Sequence, residues 1–206
     1  MFTEYEIETM MEIPEIQEAT FELKKEFIKS EAPYLEISDH DFYSLVMMTP
    51  TLGIALADGT VSLFEELALN KKARKLSKGG YFMKKDPVVY AMKFLLQGYD
   101  KWSEKFLGVL RTAIEQSFHY EGLEKEEKFD PDLEVTYAEY KKEVLKTPYI
   151  LIRFIASFFL ENEEDIINSQ RNIRKSEYKR MLEIGDELGI SMIPVFQMFA
   201  KTFVIK

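Results

Sequence analysis

The longest regular pattern in the chain is an apolar repeat that follows Asp86 and Pro87. Its members alternate in steps of four and three residues, the spacing of a heptad seam along one helix face. They are Val88, Met92, Leu95, Tyr99, Trp102, Phe106, Val109 and Ala113. We therefore predict a long helix over about 87–118 at the centre of the fold, with neighbours packed along it. Gly98 and Gly108 are the points at which it would bend.

Shorter helices are predicted elsewhere from apolar periodicity, capping residues and the placement of proline. Capping boxes open two of them, at Ser62 to Glu65 and at Thr136 to Glu139. The predicted helices cover about 3–12, 14–30, 39–57, 62–78, 148–172, 175–189 and 192–204, with another that begins at 136. Clean alternation of polar and apolar residues over five or more positions is absent outside these helices, so no sheet is predicted.

These patterns predict an all-α fold class, a multi-helix bundle around the long helix at 87–118. A length of 206 residues suits one domain over 1–206, because a single core commonly serves chains of up to about 250 residues. Two similar helical halves, 1–120 and 133–206, are the alternative. They would be joined by the connection 121–132, which carries six acidic residues against two lysines and has no helical periodicity.

Charge and composition narrow the classes of partner and compartment. The formal net charge of −9 disfavours nucleic acid, because binding to a phosphate backbone depends on clustered Lys and Arg. The chain has no cysteine and its first residues are acidic, so we expect a cytoplasmic protein without a secretory signal. The longest apolar stretch, 149–160, contains Arg153 and is shorter than the roughly 20 residues of a membrane span.

An acidic turn leads directly into a capped helix at Asp58 to Glu65. It resembles the second half of an EF-hand loop, in which Asp58, Ser62 and Glu65 would supply oxygen ligands to Ca²⁺ or another divalent cation. A complete EF-hand is excluded, because its first two acidic positions fall on Ile54 and Leu56. The alternative is a plain turn in which Ser62 caps the helix and Glu65 completes the capping box.

The same residues carry a resemblance to a known family. The stretch 55–76, ALADGTVSLFEELALNKKARKL, resembles the first helical repeat of tellurite-resistance TerB-like proteins, and the likeness extends over about 44–78. The resemblance implies an all-helical fold, a role in stress responses, and cation binding at the positions that match Asp58 and Glu65.

The TerB-like resemblance also implies two similar helical halves, and a partial echo occurs 112 residues further along the chain. Glu65, Leu69, Ala73 and Leu76 are matched at identical spacing by Glu177, Met181, Gly185 and Leu188. Each set is one face of a helix. No Asp-Gly turn precedes Glu177, and such matches also arise between unrelated amphipathic helices, so a true repeat and a chance likeness both fit the pattern.

A basic helix face follows the acidic turn. Between residues 67 and 85 there are seven basic residues and no acidic one. Four of them, Lys71, Arg74, Lys75 and Lys78, share one helix face opposite the apolar positions. This face would bind an unknown protein partner or an anion, and a homo-oligomer is one form that such binding would take. The alternative is a solvated face whose cations favour the helix C-terminus.

The two histidines suggest little chemistry. His40 and His119 each follow a glutamate by four residues, whereas carboxylate-bridged di-iron bundles use a spacing of three. Glu36 also precedes the expected helix cap at Ser38, so it would not share a helix turn with His40. Ordinary histidines are the simpler interpretation, and an enzyme that uses carboxylates and His119 is the alternative.

The hypothesis that follows is a cytoplasmic, TerB-like helical interaction or stress-response domain that binds a divalent cation weakly through Asp58 and Glu65. A metal-free partner-binding module that uses the basic face at 71–78 is the first alternative. The carboxylate and histidine enzyme is the second.

Overall fold

Ten α-helices account for most of the residues that the computed structural model describes, which are 2–79, 86–117, 133–160, 163–168 and 170–206. The helices are α1 (Glu4–Met11), α2 (Pro14–Glu31), α3 (Asp39–Ala55), α4 (Leu63–Leu76), α5 (Pro87–Gln97), α6 (Tyr99–Ser117), α7 (Tyr137–Lys146), α8 (Tyr149–Phe159), α9 (Lys175–Glu187) and α10 (Pro194–Lys201). A 3₁₀ turn at Glu163–Ile167 and two short strands, β1 (Arg171–Ile173) and β2 (Phe203–Ile205), complete the described elements. The predicted all-α multi-helix bundle is confirmed.

Helix α3 lies at the centre of the bundle. Fourteen of its seventeen residues are buried, because it is apolar on every side rather than along one stripe. It packs against α1, α2, α4, α5, α6, α8 and α9. Helix α3, rather than residues 87–118, therefore occupies the central position. The apolar residues of α3 show no helical period.

The heptad seam is buried along its whole length, as predicted. The single long helix is wrong, however, because the chain leaves helical geometry at Gly98 and forms α5 and α6 in its place. The Gly98 backbone has φ −112° and ψ 22°, and a Cβ there would lie 3.1 Å from Cδ1 of Trp102. Glycine thus permits the close approach of the indole ring.

Helix α6 begins against α3 at a close contact. Tyr99 donates a hydrogen bond from its hydroxyl to the backbone carbonyl of Thr49, over 3.1 Å. The ring lies so near Gly53 that any side chain at that position would collide with it. Burial raises the pKa of the Tyr99 hydroxyl above its ordinary value, so it remains a hydrogen-bond donor at neutral pH.

The region predicted as one helix over 148–172 is wrong in its second half. Helix α8 ends at Phe159, Leu160 is extended, and β1 pairs in parallel with β2, so that Asn172 lies opposite Val204. The expectation of no sheet is wrong in this corner of the fold. Strands of three residues are too short to show polar and apolar alternation, and their pairing depends on the α9 and α10 connection between them.

Two further expectations concern domains and membranes. The buried apolar residues form one cluster that extends from Phe2 to Ala200. The acidic connection 121–132 lies outside the described residues, so the division into halves stays a prediction. Within the part of the chain that the structure describes, every helix is too short or too polar to cross a membrane.

Trp102 tests the burial of the seam. Its ring is 2 % exposed and packs edge-on against Phe27, with the ring centroids 5.1 Å apart. Trp102→Ala should lower the free energy of unfolding by about 3–5 kcal/mol, because it leaves a cavity in the core. Urea unfolding measures this loss. The control is Tyr34→Ala, since Tyr34 is 98 % exposed, and it should change stability by less than about 0.5 kcal/mol. Equal losses in the two variants would contradict the packing described here.

Glu31 gives the fold a predicted response to acid. Its carboxylate accepts hydrogen bonds from Lys101, Trp102 and Ser30, which lower its pKa from 4.5 to about 2. A lowered carboxylate pKa stabilises the folded state above pH about 4.5, and the contribution is lost as the pH falls through about 2. Glu31→Gln should therefore lower the melting temperature at pH 6 and reduce its acid dependence between those limits. Glu22→Gln, at an exposed glutamate of α2, should leave the profile unchanged.

Candidate functional site

The turn between α3 and α4 holds the residues predicted to bind a cation. Gly59 adopts a left-handed conformation with φ 88°, which allows the sharp reversal after Asp58. The predicted capping box is present, because the Ser62 N–H donates to Glu65 over 2.7 Å and the Glu65 N–H donates to the Ser62 hydroxyl over 3.3 Å. One carboxylate oxygen of Glu65 and the hydroxyl oxygen of Ser62 therefore already serve the start of α4.

Arg174 lies among the acidic side chains of this turn. Its guanidinium donates to Asp58, to Glu65 over 3.0 Å and to Glu177 over 2.7 Å. The Arg174 backbone N–H donates to the second carboxylate oxygen of Glu177 over 2.9 Å. We call these four residues, Asp58, Glu65, Arg174 and Glu177, the Arg174 cluster. It joins the start of α4 to the start of α9.

The cluster fixes the charge of its members. Hydrogen bonds from the Ser62 side chain and backbone, together with the Arg174 charge, hold the pKa of Glu65 below its ordinary value. Burial pushes the pKa of Glu177 upward, but hydrogen bonds from Arg174 outweigh it and the net pKa is lowered. The pKa of Arg174 is raised, mainly by its hydrogen bond to Glu177. Glu65, Glu177 and Arg174 are thus charged at neutral pH.

The cluster also brings together the two halves of the sequence echo. Glu65 and Glu177 hold the same position at the start of α4 and α9, and each accepts a hydrogen bond from the backbone three residues before it. The three apolar partners in each set are buried, as one helix face requires. The structure therefore places equivalent glutamates on either side of one arginine. Whether the halves form a true repeat stays a prediction.

The cation prediction is not tested by this arrangement. Among the residues that the structure describes, no three histidine, aspartate or glutamate side chains are grouped so that they could hold a metal ion. Arg174 now accounts for the charge of the carboxylates that the sequence pattern had offered as ligands. No local sequence pattern indicates this arginine, because it lies 116 residues from Asp58.

The predicted basic face lies on the exposed side of α4. Lys71, Arg74 and Lys75 are exposed and form no ion pair among the described residues. Lys78 follows the end of the helix, where its ammonium lies 3.3 Å from Glu8. Its backbone N–H donates to Asp41 over 2.9 Å, so the buried start of α3 holds the end of α4 in place.

Apolar side chains precede the basic residues on the same exposed side. Leu63, Phe64 and Leu67 lie in the first turns of α4, and Phe64 is 84 % exposed. Periodicity could have identified them, because Leu69, Ala73 and Leu76 form the buried face and leave these three on the opposite side. We call the exposed side of α4 the α4 docking face; its members are Leu63, Phe64, Leu67, Lys71, Arg74, Lys75 and Lys78.

A cavity of about 350 Å³ lies beside α4, between α3, α8 and the first turn of α9. Its apolar lining includes Ile54, Phe158, Phe159 and Leu160, and its polar lining includes Thr51, Glu65, Glu177 and three lysines, Lys71, Lys72 and Lys75. We call this space the α4 cavity.

Lys72 is the buried cation of the α4 cavity, with 8 % of its surface exposed. Its ammonium donates to the Thr51 hydroxyl over 2.7 Å and to the Ser157 carbonyl, and the Thr51 hydroxyl donates to the Phe158 carbonyl over 3.0 Å. These bonds satisfy the last carbonyls of α8, where a positive charge is also favoured by the helix dipole. Helical spacing places Lys72 among Leu69, Ala73 and Leu76, so its inward direction could have been read from the sequence.

The histidines do not form a site within the described residues. Ser38 caps α3, so Glu36 does not share a helix turn with His40, as predicted. His40 is buried in the first turn of α3, and neither ring nitrogen has a hydrogen-bond partner. His119 lies outside the described residues, so the alternative of an enzyme stays untested.

No protein-family model, curated protein or solved structure matches this chain. The TerB-like resemblance therefore stays a prediction.

Proposed function

We propose that this chain is an interaction module whose α4 docking face binds an acidic segment of a protein partner. One observation carries the proposal: on a single helix face, exposed apolar side chains are followed by Lys71, Arg74 and Lys75, which form no ion pair among the described residues. A partner segment with apolar residues at one end and carboxylates at the other would complement both zones. The TerB-like assignment and a role in stress responses are narrower forms of the same proposal.

The apolar residues of the α4 docking face favour contact with a partner. Leu63, Phe64 and Leu67 expose large apolar surfaces to water, and covering them gains about 25 cal/mol for each Å². An aromatic side chain of this kind commonly contributes much of the energy of an interface. Phe64 is thus the expected anchor of the contact.

The basic residues of the α4 docking face favour an acidic partner. Lys71, Arg74 and Lys75 have no ion pair among the described residues, so a partner's carboxylates would not compete with existing bonds. Nucleic acid is a poorer partner than a short acidic peptide, because its phosphates extend beyond the basic residues and meet a chain whose net charge is −9. Exposed ion pairs are screened by salt, so the interaction should weaken as ionic strength rises.

Charge reversal tests this proposal. The probe is a labelled synthetic helical peptide with two leucines and a phenylalanine at one end and four glutamates at the other, measured by fluorescence polarisation. The triple variant K71E/R74E/K75E should weaken binding about tenfold or more, because three exposed ion pairs become repulsions. The melting temperature should change little. The native chain should bind a peptide with glutamine in place of glutamate no more tightly than the triple variant binds the glutamate peptide.

A matched control separates local charge from net charge. K25E/K29E/K142E reverses three exposed lysines that also form no ion pair among the described residues, and it changes the net charge by the same amount. Equal weakening by both triple variants would contradict the docking face. Analytical sedimentation of the native chain and of K71E/R74E/K75E tests whether the partner is another copy of this chain. A homo-oligomer formed through this face would persist in the native chain and dissociate in the triple variant.

Weak binding of Ca²⁺ or another divalent cation is a second proposal. The three carboxylates that accept hydrogen bonds from Arg174 are not grouped as metal ligands in the described part of the chain, so a cation would have to draw them together. Two of them, Asp58 and Glu65, are the residues that the TerB-like resemblance suggests. A cation would have to compete with the guanidinium, and the turn supplies fewer oxygens than the six to eight that Ca²⁺ prefers. We therefore expect a dissociation constant of about 10⁻⁴–10⁻³ M.

Thermal unfolding with Ca²⁺, Mg²⁺ or Mn²⁺ tests the cation proposal. At one hundred times the dissociation constant, binding should stabilise the native chain by about 2.7 kcal/mol. Asp58→Asn and Glu65→Gln should each remove that gain. Arg174→Gln should increase the affinity, because it frees the three carboxylates from their competitor. The cation proposal is contradicted if tens of millimolar cation stabilises the native chain and Arg174→Gln no more than it stabilises the double variant Asp58→Asn and Glu65→Gln. The turn is then only a helix start.

A further inference from the structure

We infer that the α4 cavity binds a small amphipathic molecule that has an apolar body and an anionic head group. The inference goes beyond the α4 docking face, because it concerns the cavity beside α4 and a different class of ligand, although Lys71 and Lys75 belong to both. It rests on the size of the cavity, the chemistry of its walls and the arrangement of charge around it.

The cavity has the dimensions and walls of a ligand site. Its volume of about 350 Å³ falls within the range of roughly 300–1,000 Å³ that small-molecule sites occupy. Ile54, Phe159 and Leu160 line it and remain only partly buried. Removing these surfaces from water would favour a ligand with an alkyl or aromatic body.

The head group is inferred from charge. Lys71 and Lys75 both line the cavity, lie one helix turn apart, and have no ion pair among the described residues. The two lining acids do not offset them directly. Glu65 and Glu177 each direct one oxygen to Arg174 and the other to a backbone N–H. A carboxylate or a phosphate ester would therefore meet two available ammonium groups.

Lys72 strengthens the preference for an anion without being required as a direct ligand. Its ammonium is fixed in the cavity wall by Thr51 and by the Ser157 carbonyl. A positive charge in a poorly solvated wall attracts an anion more strongly than the same charge would in bulk water. The cavity thus combines apolar walls with an excess of lysine charge, an arrangement that suits neither a neutral lipid nor a cation.

The test measures binding of four simple probes by isothermal titration calorimetry. Octanoate and octyl phosphate carry both the alkyl body and the anionic head, octanol carries only the body, and inorganic phosphate carries only the charge. At least one of the two amphipathic anions should bind at least tenfold more tightly than octanol, and inorganic phosphate should not bind or compete. The tighter of the two identifies the head group.

Two variants connect binding to the cavity. Ala68 lines the cavity and is exposed on α4, so Ala68→Trp should block the space while preserving the melting temperature. Ala138→Trp on α7 is the matched control, because Ala138 is equally exposed and does not line the cavity. K71M/K75M should weaken the amphipathic anion about tenfold, whereas K25M/K29M, a pair with the same spacing on α2, should not.

Three results would overturn the inference. Octanol binding as tightly as both anions would remove the role of the lysines, and binding unaffected by Ala68→Trp would place the ligand elsewhere. Failure of all four probes at millimolar concentration would have the same effect. Arg74→Glu distinguishes this inference from the docking face, because Arg74 does not line the cavity and should affect only the acidic peptide.

Discussion

The burial of α3 is the constraint on which the rest of the fold depends. A helix that is apolar on every side has no face for water, so seven other helices must surround it. Two of the polar side chains that it carries bind the end of α4. Asp41 accepts the Lys78 N–H, and Ser44 donates to the Leu76 carbonyl over 2.8 Å, so both hold the end of α4. The position of α4, with its docking face and the adjoining cavity, follows from the burial of α3.

Charge is divided between the two ends of α4. At its start, the Arg174 cluster pairs carboxylates with a guanidinium from a distant part of the chain and fixes α9 beside it. Towards its end, Lys71, Arg74 and Lys75 face outward and form no ion pair among the described residues, while Lys78 pairs with Glu8. The carboxylates at the acidic end are therefore engaged within the chain, while three cations at the basic end keep their charge for other molecules. This asymmetry is the common origin of the proposals for a protein partner and for an anionic ligand.

Much of the helical structure could be predicted from local patterns, and the failures have physical causes. Capping boxes at Ser62 and Thr136 act over three residues, so they are visible in the sequence and present in the structure. The heptad seam was correctly predicted to be buried and Gly98 was named as a point of bending, but the regular spacing did not show that the helix ends there. The central position of α3 was missed because a uniformly apolar helix shows no period. Arg174 was missed because its partners are brought to it only by tertiary packing, whereas the inward direction of Lys72 was present in the spacing of α4 and was overlooked.

The central position of α3 also has a consequence for biosynthesis. Residues 39–55 leave the ribosome early, whereas α9, one of the helices that cover them, ends at Glu187. About 130 further residues must be made before this covering is complete, which takes roughly 7–26 s at about 5–20 residues per second. During that interval the nascent chain carries an apolar segment without its full complement of neighbours. An apolar segment of this kind is prone to aggregation until the helices that cover it have been made.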